Sequence, residues 1–333
     1  MRYLDYIVRL AKEVKNPPLF LYHIYHYANK EVPYSLSKRI AKMNQTQYNK
    51  QELGDIIVNT HDGSNQVVHP DMDIFMDGVA LICTPYPYAM EEYENPCLYI
   101  GNNLHALKPV MCPLDVQSRH TQGIHMSDPC LIADGPDLLC IYRETQYKDD
   151  YIFLKKVCID NKGSFSVTKR HLLFFTKQEY VLSPAALLLN NELLIYHVKT
   201  NRTNSIMVLN RFDKAYYKKI ATDYTEITGE PEDYYLWHIG ICSSYYGKKT
   251  LHNESLKGLF LYINKTDNTK LKLFVADGCN LINWKIVKEV SLPHRLAAII
   301  KFPYKSCINP QNGKILLSFR DKKSRNRLIE LDV

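Results

Sequence analysis

Five segments of the chain begin alike, each with a short polar or aromatic signature that runs into an apolar, strand-like stretch. They start at His69, Ser127, Ser183, His238 and Tyr304, so the intervals between them are 58, 56, 55 and 66 residues. Even spacing of this length in a chain rich in β-branched and aromatic runs is typical of a propeller, in which each repeat forms one blade. No other feature of the sequence limits the possible folds as strongly.

Each unit contains further strand-like runs, separated by turn residues such as Asn, Asp and Gly. Val79–Thr84 is a second strand of this kind, and residues 97–100 follow as a third. The last unit has three strands, and Asp55–Val58 can supply a fourth, which would close the ring and leave no free edge. We therefore predict an all-β, five-bladed β-propeller over residues 51–333. Strand counting alone leaves two β-sandwiches as an alternative.

The formal net charge of +7 is concentrated at the beginning of the chain. Residues 1–50 hold nine basic and three acidic side chains, whereas the other 283 residues hold 33 and 32. The nearly neutral body argues against nucleic-acid binding. Apolar residues recur at helical spacing from Leu4 to Val14, which predicts a basic amphipathic helical arm over residues 1–50. This arm could dock on an anionic membrane surface or a partner, or pack on its own domain.

The sequence carries no sign of export or of a membrane span. No stretch approaches the roughly 20 apolar residues that a spanning helix needs. Arg2, Asp5 and Arg9 stand where a signal peptide would have its apolar region. The nine cysteines show no metal-ligand spacing. We therefore expect a cytoplasmic protein with reduced cysteines, peripheral to the inner face of a membrane if the arm docks there.

In a propeller, the first strand of each blade lines the central channel, so the five blade starts converge at one rim. Acids, imidazoles and aromatic rings meet there, which suits a saccharide because rings stack on sugars and carboxylates move hydroxyl protons. The predicted rim residues are His69, Asp71, Asp128, Ser183, Trp237, His238, Tyr304 and Lys305. The histidines and aspartates could instead hold a structural cation in the channel. No other cofactor is expected.

Several short motifs accompany the blade starts in a fixed order. They are His69-Pro-Asp71, Thr84-Pro-Tyr-Pro87, Glu94-Asn-Pro96, Ser127-Asp-Pro129, Tyr142-Arg-Glu144, Leu182-Ser-Pro184 and Trp237-His238. Together they resemble the five-bladed propellers of glycoside hydrolase family 43 and its relatives, and especially a poorly characterised branch with these blade starts. The resemblance covers residues 60–325 and leaves out the N-terminal arm.

The resemblance implies inverting glycoside hydrolysis, with an aspartate as general base, a second aspartate that orients substrate, and a glutamic acid as proton donor. Asp71 takes the base position and Asp128 the orienting position. The third and fourth blade starts offer no carboxylate, so Glu144 and Glu94 are the candidates for the acid. Glu144 is preferred slightly, because Arg143 beside it fits a polar, substrate-binding rim. If neither reaches the axis, another acid or a binding role remains.

Three functions stay open at this point. The first is a glycoside hydrolase that acts on a complex saccharide. The second is a cytosolic glycosyltransferase or phosphorylase of surface-glycan assembly, which the absence of export signals favours. The third is a propeller that binds glycan or protein without catalysis, which the missing acid favours. Motifs for P-loop nucleotide binding, serine hydrolysis and zinc proteolysis are absent from the sequence.

Overall fold

The computed structural model describes residues 17–27, 36, 39–40, 54–87, 90–115, 124–160, 164–201, 204–243, 250–251, 256–323 and 325–332. Within these ranges, 23 strands form five separate sheets. The sheets are arranged as the blades of a five-bladed β-propeller, as the repeat predicts. The alternative of two β-sandwiches is wrong.

Each blade is built mainly from strands that follow one another along the chain. The first contains β1 (Val67–Phe75), β2 (Gly78–Pro85), β3 (Cys97–Gly101) and β4 (Lys108–Met111). The second contains β5 (Ile124–Asp134), β6 (Asp137–Gln146), β7 (Asp149–Ile159), β8 (Phe165–Val167) and β9 (His171–Thr176). The third contains β10 (Tyr180–Leu189), β11 (Glu192–Thr200), β12 (Ser205–Asp213), β13 (Lys219–Tyr224) and β16 (Thr250–Leu251).

The last two blades complete the ring. The fourth contains β14 (Glu226–Thr228), β15 (Tyr234–Ser243), β17 (Leu256–Asn264), β18 (Leu271–Gly278) and β19 (Asn283–Glu289). The fifth contains β20 (Ile300–Pro303), β21 (Cys307–Ile308), β22 (Ile315–Asp321) and β23 (Asn326–Leu331). The innermost strands are β1, β5, β10, β15 and β21, which lie next to one another around the axis.

The fifth blade is completed by residues that precede the first blade. Asp55 forms an antiparallel bridge with Ile329, and the amide of Ile56 donates to the carbonyl oxygen of Leu328 at 2.8 Å. The carboxylate of Asp55 also accepts two hydrogen bonds from Arg327, at 2.9 and 2.6 Å. This contact agrees with the prediction that residues 55–58 extend the last blade and close the ring.

The hydrophobic core is divided among the interfaces between blades. Five apolar clusters join the blades in pairs, and the one between the third and fourth blades surrounds Trp284 and Tyr196. Because neighbouring blades cover both faces of each sheet, inner strands need apolar side chains on both sides. All eight residues of β2 are accordingly buried. Continuous apolar runs, rather than alternating ones, therefore mark the inner strands in the sequence.

The inner strands of adjacent blades are held together by side chains instead of by a shared sheet. Asp71 accepts a hydrogen bond from the amide of Leu131 on the next inner strand at 2.9 Å. Ser183 bonds both the amide and the carbonyl of Ile239, at 3.0 and 2.8 Å. These contacts satisfy backbone groups that would otherwise be buried without a partner.

Part of the predicted N-terminal arm is described. A helix spans Pro17–Tyr27 and so begins at the two prolines, where the missing amide protons cost nothing. Tyr22 is 1% exposed and packs in a small cluster with Ile40 and Met90. The predicted helix over residues 4–14 lies outside the described residues. Among the described helices, none combines the length and apolar character that crossing a membrane requires.

One pair of cysteines corrects the expectation that all nine are reduced. Cys97 in β3 and Cys112 just after β4 form a disulfide, and the other seven are free thiols. The two strands are antiparallel neighbours, which brings the pair opposite each other across 15 residues of sequence. No Cys spacing in the sequence marks this contact.

Candidate active site

A cavity of about 430 Å³ opens at the start of the inner strands, and all five blades contribute to its walls. Five aromatic side chains line it: Tyr86, Tyr180, Trp237, Phe302 and Tyr304. Six titratable groups line it as well: His69, Glu91, Glu94, His125, Asp128 and His238. Three cations also line it: Arg143, Lys301 and Arg320. The volume and the mixed lining are those of a small-molecule site.

A β-bulge at the start of three inner strands sets the floor of this cavity. The pairing register shifts once in β1, once in β5 and once in β10. The bulged residues adopt positive φ and each precedes a proline: His69 (53°), Asp128 (50°) and Ser183 (54°). Positive φ is costly for residues other than glycine and is found where a side chain must be aimed out of a regular strand. The three residues are therefore structurally equivalent.

His69, Asp128 and His238 form a compact buried cluster on the floor. Nδ1 of His69 lies 3.3 Å from Oδ1 of Asp128, and Nδ1 of His238 lies 3.9 Å from the same oxygen. Arg143 reaches the other carboxylate oxygen of Asp128 at 3.0 Å. The Arg143 guanidinium also donates to Ser127 Oγ at 2.8 Å, which fixes its position.

Burial and charge set the protonation of this cluster. Burial lowers the pKa of His69 to about 4 and that of His238 well below its ordinary value, although Asp128 opposes both shifts. Burial also opposes ionisation of Asp128, but His69, Arg143 and His238 outweigh it and hold its pKa well below the ordinary value. At neutral pH the cluster therefore consists of two neutral imidazoles and a carboxylate paired with Arg143.

The cluster also has the donor set of a cation site, since the ligand atoms of His69, Asp128 and His238 lie within 4.8 Å of one another. The charges around it oppose a metal ion. Arg143 occupies one side of the carboxylate. Below it, the buried ammonium of Lys305 donates to the carbonyl oxygens of Pro129 and Pro184, both at 2.7 Å. This lysine supplies a positive charge to the channel, which together with Arg143 weakens the attraction of the cluster for a cation.

Glu94 is the second carboxyl group of the cavity. It follows a 3-10 turn at Glu91–Tyr93, and its carbonyl oxygen accepts from the amide of Met126 at 3.0 Å, which ties it to the second blade. Oε2 lies 3.6 Å from Nε2 of His125. Burial raises the pKa of Glu94 well above its ordinary value, Glu91 raises it further, and Arg143 acts in the opposite direction. The surroundings therefore favour the neutral form of Glu94 and the ionised form of Asp128 in the same cavity.

The structure brings seven of the predicted site residues together around the cavity: His69, Glu94, Asp128, Arg143, Trp237, His238 and Tyr304. Asp71 does not line the cavity, and this corrects its assignment as the general base. Asp71 is the first paired residue after the bulge, is 1% exposed, and bonds Leu131. His69 occupies the position equivalent to Asp128. The first blade thus presents an imidazole where the resemblance implies a carboxylate.

The preference for Glu144 over Glu94 is also corrected. Side chains alternate along a strand, and Arg143 and Thr145 of β6 face the cavity. Glu144 therefore points to the opposite face, where Arg170 donates to its Oε2 at 2.6 Å.

Two predicted substrate-binding residues instead hold the ring together. Ser183 uses its hydroxyl on Ile239. Lys305 is 1% exposed and bonds two carbonyl oxygens beneath the floor. Neither lines the cavity.

Four of the charged groups and imidazoles that line the cavity were not predicted: Glu91, His125, Lys301 and Arg320. For Arg320 a signal exists in the sequence. The second strand of the second blade ends Tyr142-Arg-Glu144, and that of the fifth blade ends Phe319-Arg-Asp321. Because Arg143 lies at the rim, the matching arginine is expected there too. No comparable pattern marks Glu91 or His125.

Comparison with known proteins identifies solved structures with a similar fold. No protein-family model matches the chain, and no curated protein matches it by sequence. Among solved structures, it is similar to the native arabinanase Arb43A of Bacillus subtilis, with a TM-score of 0.51, 11% identity, and coverage of 80% of this chain and 94% of that one. The family 43 endo-arabinanase of Bacillus licheniformis gives a TM-score of 0.53 and 12% identity, covering 82% and 96%.

A third similar structure is the exo-β-1,3-galactanase of Phanerochaete chrysosporium with β-1,3-galactotriose. Its TM-score is 0.56 and its identity 10%, and the match covers 84% of this chain and 64% of that chain. At such identities, the likeness establishes the five-bladed propeller fold that the sequence motifs indicate. The ligand and the chemistry of the cavity depend on its own residues and do not follow from the fold.

Proposed function

We propose that the cavity binds a saccharide and that this protein cleaves a glycosidic bond in it by general acid–base catalysis. One observation carries the proposal. Two buried carboxyl groups, Glu94 and Asp128, line the same cavity, and their surroundings shift their pKa values in opposite directions. Such a pair provides a proton donor and an anion at one pH, which is the requirement for hydrolysis through an oxocarbenium-like transition state.

In this proposal, Glu94 gives its proton to the oxygen of the leaving group while the bond from that oxygen to the anomeric carbon breaks. Asp128 stabilises the positive charge that develops on the sugar. Water attacks the anomeric carbon, and the pair formed by His69 and Asp128 accepts its proton. The aromatic rings of Trp237 and Tyr304 supply faces on which a sugar can stack. The fold of the similar arabinanases and galactanase supports a saccharide as the ligand.

A transferase or phosphorylase would use the same groups, with an alcohol or phosphate in place of water. The product therefore decides between hydrolysis and transfer. Docking of residues 1–50 on a membrane or a partner, and a cytoplasmic location, remain part of this second possibility.

Binding without catalysis is favoured by one specific observation. The third blade places Leu182 and Ser183 at the position where the resemblance implies a carboxylic acid, and Ser183 is already bonded to Ile239. If Glu94 cannot replace that acid, the cavity holds a sugar and leaves it intact.

The test compares Glu94→Gln with Glu144→Gln. Both residues are buried glutamates, 4% and 3% exposed, but only Glu94 lines the cavity. Turnover is measured on a panel of aryl glycosides and oligosaccharides. We expect Glu94→Gln to lower kcat by about 10²–10⁴-fold on substrates with a poor leaving group, and much less on dinitrophenyl glycosides, which need no proton.

Glu144→Gln should keep kcat within about threefold, because Glu144 contacts Arg170 and Gln146 and does not line the cavity. Equal losses in the two variants would show that Glu94 is not a proton donor. Saccharide binding that neither variant changes, with no turnover in the parent protein, would establish the binding role.

A further inference from the structure

Arg320 is the last residue but one of β22 and lines the cavity from the fifth blade. Two tyrosine rings hold it in place. Its Cζ lies 5.7 Å from the centre of the Tyr86 ring and 5.6 Å from that of the Tyr304 ring, and its Nη2 donates to the Tyr304 hydroxyl. The guanidinium is thus fixed by neutral groups, which leave its charge uncompensated.

Arg143, at the matching position of the second blade, shows the contrast. Arg143 pairs with the carboxylate of Asp128 at 3.0 Å. Within the described ranges, Arg320 has no carboxylate within 4.0 Å, and its buried Nε has no hydrogen-bond partner. A buried cationic group without an anionic acceptor is unfavourable, so an anion of the ligand beside this guanidinium would be stabilised.

The charges around the cavity also favour an anionic ligand. Three cations line it, Arg143, Lys301 and Arg320, against Asp128 and Glu91 as anions. Burial raises the pKa of the remaining carboxyl group, Glu94, and so favours its neutral form. This reduces the negative charge of the lining relative to its three cations.

We propose that the natural ligand is a saccharide that carries a carboxylate, of the hexuronic acid class, and that Arg320 binds this carboxylate through its guanidinium group. A planar guanidinium matches the geometry of a carboxylate, and the two tyrosines keep it oriented before the ligand arrives. The inference rests on the proposed function, because it places the acidic sugar in the same cavity.

The test measures binding and needs no turnover. Isothermal titration calorimetry compares glucuronic, galacturonic and mannuronic acid oligomers with their methyl esters and with the corresponding neutral oligomers. We expect at least one free acid to bind tenfold or more tightly than its ester. Arg320→Gln should remove this preference, and Arg320→Lys, which keeps the charge without the planar fork, should retain only part of it.

The matched control is Arg211→Gln, which removes another arginine that pairs with Glu192 on the third blade, away from the cavity. Arg211→Gln should leave the preference unchanged. The inference is overturned if no acid in the panel binds better than its ester, or if Arg320→Gln leaves the preference intact. It is also overturned if a sulfated or phosphorylated sugar binds through Arg320 more tightly than every uronate.

The two proposals fail separately. Binding of a uronate that depends on Arg320, without any cleavage, would leave the inference standing and remove only the hydrolase. Cleavage of neutral sugars at a rate that Arg320→Gln does not alter would support the hydrolase and overturn the inference of a uronate ligand.

Discussion

Nδ1 of His69 lies 3.3 Å from Oδ1 of Asp128, and the two residues occupy the same bulge position in neighbouring inner strands. Both have positive φ and both precede a proline. The same β-bulge in two successive blades thus brings an imidazole and a carboxylate into contact. Asp128 faces His69 from one side and Arg143 from the other, and these groups hold its pKa low. The first and second blades therefore both contribute to one buried cluster of polar side chains.

Glu91 is expected to tune the pH dependence of catalysis through Glu94. Burial is the main reason that the pKa of Glu94 is raised, and the negative charge of Glu91 adds to the shift. Activity should fall as pH rises through this raised pKa, because the proton donor is lost. Replacing Glu91 with Gln removes a negative neighbour, so the descending limb of the profile of kcat against pH should move to lower pH.

Glu179→Gln serves as the control for this shift, since Glu179 is exposed and pairs with Lys199 on the third blade. Its profile should overlay that of the parent protein. A descending limb that stays in place in Glu91→Gln would mean that another group supplies the proton.

The fold could be predicted from the sequence because it depends on many weak signals that agree. Apolar runs, turn residues and a repeat of about 55 residues all report the same strands. Closure of the ring by Asp55 could be predicted for a similar reason: the last repeat lacks a strand, and a strand-like run precedes the first.

The site was harder to predict because a shift of one residue along a strand turns a side chain to the opposite face of the sheet. In the motif His69-Pro-Asp71, the aspartate is the natural candidate for a site residue. Because of the bulge, however, His69 occupies the position equivalent to Asp128, and Asp71 occupies the position equivalent to Cys130. Glu144 fails for the same reason, since it lies next to Arg143 in sequence and on the other face in space. Glu94 reaches the cavity from a loop, where no periodicity applies.

Buried histidines should make the fold sensitive to mild acid. Burial lowers the pKa of His69 to about 4 and of His197 to about 3, below the ordinary 6.5. The unfolded chain then binds protons at a higher pH than the folded one. The contribution of these two histidines to the free energy of unfolding is therefore fully present above pH 6.5 and is lost as the pH decreases toward 4. Each group can contribute up to about 3 kcal/mol to the loss.

His197→Gln isolates this effect, because His197 lies in the third blade beside Asn210, outside the cavity lining. Urea unfolding at several pH values should show a shallower loss of unfolding free energy between pH 6.5 and 4.5 in the variant. The same replacement at the exposed His105 should keep the slope of the parent protein. Identical slopes in all three proteins would contradict a role for buried imidazoles.

Closure of the ring should depend on the pair formed by Asp55 and Arg327. Two hydrogen bonds, at 2.9 and 2.6 Å, join them, and both side chains are nearly buried, 6% and 5% exposed. Asp55→Asn removes the nearer counter-charge of the buried guanidinium and leaves only Asp321, whose Oδ2 lies 4.0 Å from Nη1 of Arg327. The loss should cost about 3 kcal/mol of unfolding free energy. Hydrogen exchange should also speed up at the amide of Ile56, which bonds to the fifth blade.

Glu192→Gln is a closely matched control, because Glu192 also holds an arginine, Arg211, with two hydrogen bonds, at 2.7 and 2.8 Å. That pair is 29% and 35% exposed, so its loss should cost less than about 1 kcal/mol. Since the geometry is the same, the difference between the two variants measures what burial and ring closure add. Equal costs, or unchanged exchange at Ile56 in Asp55→Asn, would mean that the ring is closed by the apolar contacts between blades alone.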